Sequence, residues 1–145
     1  MKLYTIGFTK KPASQFFETL RAAGVTRVVD VRLNNVSQLS GFIKKQDLVY
    51  FLDKICGIQY RHVPLLAPTQ QMLDAYKKRG GGWDEYERTF LQLMKERRIE
   101  SAWSPESCDA DCLLCSEEKP DYCHRRLVAE YLAAHHDDIR IQHLD

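Results

Sequence analysis

The chain has 145 residues, 44% of them hydrophobic, with a formal net charge of +1. That length and apolar content suit one domain, residues 1–145, with a core of its own and no room for a second. The near-neutral balance carries no global signature of nucleic-acid or membrane binding, so any such contact has to rest on a local patch. No apolar run reaches membrane-spanning length and the first residues lack the apolar core of a secretory signal, so a cytoplasmic protein without a membrane partner is expected. Five cysteines, an odd number without the spacing of a secreted disulfide scaffold, point to reduced thiols, a metal site or redox chemistry.

Leu3 to Gly7 is a β-rich run, and Pro12-Ala13 opens a helical pattern through Phe16, Phe17 and Leu20 that Gly24 closes. Val25 to Val31 reads as a second strand, apolar on both faces as in a parallel sheet covered by helices on each side. Leu33 to Phe42 is rich in turn formers. Helical spacing returns from Gln46 to Ile55, and Tyr60 to Leu65 is a third strand with Pro64 at its end or on an edge. Helices are predicted over Thr69–Lys78 and Asp84–Arg98 with the Gly80-Gly81-Gly82 run between them. Cys112–Cys115 is the fourth strand, a helix starts near Asp121, and Ile139-Arg140-Ile141 suggests a closing strand. This alternation predicts an α/β fold: one three-layer domain with a mainly parallel sheet of about five strands flanked by helices.

Open sheets of this kind bind ligands beyond the carboxyl ends of their strands. Thr5 and Gly7, Asp30 and Arg32, and Cys115 and Glu117 all fall at such ends. Asp30 and Arg32 are a catalytic acid or base and an anion ligand, or simply an ion pair. Glu117 is a general acid or base, or an orienting partner of Arg125, whereas Glu118 faces water. Cys123 and His124 are placed in the first turn of the last helix, where free amides favour a thiolate or a bound anion, and Arg125 adds a planar fork for phosphate. The competing reading makes Cys123 a small buried hydrophobe.

The turn from strand to helix should return Cys123 to the side of Cys115, close enough for a bridge or a shared ion. If a metal is present, zinc or iron is expected on Cys115, Cys123 and His124. Cys108 and Cys112 also tempt a cluster reading, but in an extended strand Cys112 and Cys115 point to opposite faces. Cys108 and Cys112 are therefore expected to be dispensable. Lys77, Lys78, Arg79, Arg88, Lys95, Arg97 and Arg98 surround Trp83 and would suit a nucleic-acid backbone, yet interleaved Asp84, Glu85, Glu87 and Glu96 favour a solvated face. The three glycines are a candidate hinge.

Tyr4-Thr5-Ile6-Gly7, Asp30-Val31-Arg32, Tyr60 with His62, Leu114-Cys115-Ser116-Glu117 and Cys123-His124-Arg125 together resemble the domain-of-unknown-function 488 family over almost the whole length. The resemblance implies a small α/β fold with an enzyme-like cluster and no established activity. It makes His62 a catalytic candidate and Tyr60 a substrate-binding one; on their own, both would read as packed or hydrogen-bonded strand residues. With no P-loop and no dinucleotide fingerprint after any strand, hydrolysis or group transfer on a nucleotide-like or phosphate-bearing substrate is expected. A nucleic-acid-binding accessory module and a thiol or metal sensor are the alternatives.

Overall fold

Five strands and six α-helices appear in the computed structural model, which describes residues 1–34, 41–78, 80–103 and 109–145. In chain order they are β1 (Lys2–Gly7), α1 (Ala13–Ala23), β2 (Arg27–Asp30), α2 (Lys45–Phe51), β3 (Gln59–His62), α3 (Gln70–Lys77), α4 (Trp83–Arg97), α5 (Ile99–Ala102), β4 (Asp111–Cys115), α6 (His124–His135) and β5 (Arg140–His143). The strands form one sheet in the order β3-β2-β4-β1-β5, and every pairing is parallel. This is the expected three-layer α/β domain.

Strand composition explains the layering. β4 is buried at all five positions and β1 at all but its first, so both faces of the central strands need a cover. On one face Phe16, Phe17 and Leu20 of α1 and Leu48 of α2 pack over Tyr4, Ile6, Val28, Cys112 and Leu114. On the other, Phe90 and Met94 of α4, Ile99 of α5 and Leu127, Val128 and Leu132 of α6 pack over Leu3, Val29 and Leu113. β4 lies between β1 and β2. The crossovers leaving β1 and β2 run over the first face, and those leaving β3 and β4 over the second. The direction of winding therefore reverses beside β4, which opens a crevice at the carboxyl ends of β1, β2 and β4.

Several boundaries differ from the sequence expectation. β2 and β3 are shorter, and Pro64 sits beyond β3 at the start of a single 3-10 turn (Pro64–Leu66), where its missing N–H costs nothing. The segment after α2 widens into a π turn, Leu52–Cys56. Left-handed Arg98 (φ 51°) splits the helical run so that α5 stands apart from α4. α6 starts at His124 rather than near Asp121. Pro120 accepts a hydrogen bond from the Cys123 N–H (3.2 Å), and Cys123 itself is extended (φ −134°, ψ 138°), so it caps the helix instead of entering it.

Cys112 and Cys115 face opposite sides of the sheet, as expected. Cys112 is fully buried against the α1 side, and burial pushes its thiol pKa up, so it is part of the core rather than a spare thiol. Cys108 lies outside the described residues. Replacing Cys112 with serine should lower the unfolding free energy by about 1–3 kcal/mol, the cost of burying a poorly paired hydroxyl. Urea denaturation of Cys112→Ser measures this, and an unchanged midpoint would refute the core assignment.

Candidate functional site

Turn chemistry at three adjacent strand ends builds a cleft of about 180 Å³. Phe8 follows β1, Arg32 to Asn34 follow β2, Cys115 to Glu117 end β4, and Tyr122 to His124 lead into α6. The opposite wall is aromatic: Tyr76 of α3 with Trp83 and Tyr86 of α4. Trp83 stacks on Tyr86 (centroids 5.2 Å apart) and meets Tyr122 edge-on at 5.5 Å. Tyr122 is 65% exposed, so one side of this wall is open to a ligand.

Cys115, Cys123 and His124 form the floor. One ligating atom from each lies within 4.8 Å of the others, so the return of Cys123 to Cys115 is as the turn length required. All four described cysteines are free. The His124 Nε2 lies 2.7 Å from the Val31 carbonyl oxygen. A carbonyl can only accept, so Nε2 carries a proton and Nδ1, 3.7 Å from Cys115 Sγ, presents its lone pair or a second proton to the sulfur. The two thiols are unequal. A hydrogen bond from Cys123, assisted by the Ser116 amide and the Arg125 charge, holds the Cys115 pKa below its ordinary value against the effect of burial. Burial and its donation to Cys115 drive the Cys123 pKa well above.

Asp30, Tyr60 and His62 do not line the cleft; all three converge on Arg32. The Asp30 carboxylate, fully buried, takes the Arg32 Nε at 2.8 Å and Nη2 at 2.7 Å, and accepts the Tyr60 hydroxyl at 2.6 Å. His62 Nε2 lies 2.8 Å from the Arg32 carbonyl oxygen, and Arg32 Nη2 also donates to the Ile43 carbonyl. Arg32 thus enters the cleft wall in a fixed pose, with its guanidinium 5.4 Å from the Phe8 ring. Its Nη1 is buried without a partner among the described residues.

Arg125 is fully buried and does not line the cleft. Its fork, expected to hold an anion beside the first amides of the last helix, donates instead to the main-chain carbonyls of Glu117 (2.7 Å) and Glu118 (3.4 Å) in the preceding turn. The Glu117 side chain is exposed at the cleft edge, whereas Glu118 approaches Lys10 at 3.7 Å. Thr5 bonds His143 (2.6 Å) away from the cleft. Gly7 matters by lacking a side chain: a Cβ there would overlap the Glu117 carbonyl and crowd Arg125 Nη1.

Sequence reasoning did not place Tyr76, Trp83, Tyr86, Tyr122 and Phe8 in the site. The available signal was the aromatic flanking of the glycine run. Gly80 is left-handed (φ 69°) and the Gly81 N–H bonds the Ala75 carbonyl, so the run closes α3 and sets Trp83 at the start of α4.

An all-parallel α/β domain with a thiol–imidazole cluster at its switch point is the class these features define. The chain belongs to the family described as domain of unknown function DUF488, whose model matches residues 12–132. No curated protein and no solved structure matches it.

The turn carrying Glu117 can sit against β1 only because residue 7 is glycine. Gly7→Ala should destabilise the fold by about 1–3 kcal/mol, as for other overpacked sites. Thermal and urea unfolding check this, and a neutral effect would show that the turn yields freely.

Proposed function

We propose that the cleft is the active site of an enzyme, of hydrolase or transferase type, acting on a nucleotide-like or other phosphate-bearing substrate. One observation carries the reading: an aromatic wall and the guanidinium-bearing Arg32 line the same cleft above a reactive floor. A planar group stacks against Trp83 and Tyr122, since aromatic side chains accept any base through its π-face. Arg32, held in place by Asp30, Tyr60 and His62, brings its positive charge to a phosphate or carbonyl oxygen. Lys77 adds positive charge at the rim. The chemistry takes place at Cys115, Cys123 and His124, and Glu117 exchanges the proton.

The basic residues beyond the cleft support this reading over that of a nucleic-acid module. Arg97 donates to the Leu65 and Ala67 carbonyls, Lys78 approaches Asp74, and Arg126 pairs with Glu87 and Glu130. These contacts occupy cations that a phosphate-tracking stripe would need free. No helix among the described residues is long and apolar enough to cross a membrane.

Calorimetric titration with nucleoside mono-, di- and triphosphates, with inorganic phosphate as control, tests the proposal. Nucleotides should bind. Trp83→Ala should weaken them by about 1–3 kcal/mol, the range for one stacked base. Arg32→Lys, which keeps a charge beside Asp30 but removes the fork, should weaken them by about 1.5–3 kcal/mol. Absence of nucleotide binding, or binding indifferent to both substitutions, would overturn the assignment.

A further inference from the structure

Three metal-ligating side chains from two elements meet at the floor of the cleft, more than a nucleophile and its base require. The set is soft, two sulfurs and an imidazole, which suits zinc rather than magnesium or calcium. In a tetrahedral zinc site, Zn–S bonds of about 2.3 Å and Zn–N bonds of about 2.0–2.1 Å put sulfur and nitrogen roughly 3.5 Å apart. Cys115 Sγ and His124 Nδ1 are 3.7 Å apart. A second observation is independent of that spacing. His124 gives its Nε2–H to the Val31 carbonyl, the outer partner that zinc-binding histidines usually have; Cys115 Sγ lies 3.8 Å from that nitrogen and 3.7 Å from Nδ1, and Nδ1 is the one left free to ligate.

We infer that Cys115, Cys123 and His124 Nδ1 hold a zinc ion whose fourth position opens into the cleft. All three residues line the cleft, and among the described residues no fourth Cys, His, Asp or Glu joins the group. Three protein ligands with one open position are the arrangement of catalytic zinc, whereas structural zinc takes four. The inference rests on the reading of the cleft as an active site and narrows its chemistry to hydrolysis. A zinc-bound water, not a cysteine sulfur, is the attacking group. Its oxygen bonds to the electrophilic carbon or phosphorus of the substrate, one of its protons passes to Glu117, and the leaving group departs with that proton.

The test is metal analysis of protein purified without chelator, followed by cobalt substitution. One zinc per chain is expected in the wild type and in Cys112→Ser, falling to background in Cys115→Ser, Cys123→Ser and His124→Ala. Because misfolding of those three variants would also release zinc, cobalt(II) added to folded, metal-stripped wild type provides a second readout. It should give the intense visible bands of tetrahedral cobalt and a sulfur-to-cobalt charge-transfer band. Iron in place of zinc, a six-coordinate cobalt spectrum, or failure of stripped and folded wild type to bind zinc would each overturn the site. Nucleotide binding by a zinc-free protein would remove the zinc centre and leave the cleft assignment standing. Zinc in a protein that binds no nucleotide would do the reverse.

Discussion

A guanidinium sealed from solvent organises one end of this domain. Arg125 has no carboxylate partner among the described residues; its bonds go to two main-chain carbonyls of the β4–α6 turn. A buried cation without a counter-ion is costly, so the surroundings have to answer its field. They do so twice. The carbonyl dipoles of Glu117 and Glu118 point at it, which fixes the turn against Gly7, and its charge helps to hold Cys115 toward the thiolate. One side chain therefore both shapes the floor of the cleft and sets its electrostatics.

A second cation, Arg32, acts electrostatically on the same sulfur, and its environment is the opposite. Arg32 is matched to Asp30 in a bidentate pair, and that carboxylate is in turn held by Tyr60. The pair fixes geometry, and one N–H is left over. Cys115 lies under the influence of both guanidiniums. The division of labour is physical: Arg125 holds backbone, Arg32 lines the cleft, and Asp30, Tyr60 and His62 brace Arg32.

The fold was legible because parallel strands covered on both faces leave a plain trace, in runs such as Val28-Val29 and Leu113-Leu114, and because Gly24 and Thr69 mark helix ends at the places where the structure has them. The floor was legible too, since strand-end position and turn length brought Cys115, Cys123 and His124 together before any coordinates. Arg125 was not, and the reason is helix register. Beginning α6 at His124 puts Arg125 in line with Val128, Ala129 and Leu132, on the buried stripe and outside the cleft lining. The aromatic wall was hidden differently. Tyr86 and Phe90 recur at helical spacing and read as core; only the packing of α3 against α4 turns Tyr76, Trp83 and Tyr86 toward the strand ends.

The dependence of the floor on Arg125 is the central constraint on the site. It is tested by pulsed alkylation of the folded protein, in the presence of a chelator, comparing wild type with Arg125→Met and mapping the modified cysteines by mass spectrometry. Loosening of the turn should speed modification of Cys115 and Cys123, while Cys112, on the other side of the sheet, stays protected. Unchanged protection of Cys115 and Cys123, or exposure of all three together, would contradict the claim that this one buried guanidinium holds the site in place.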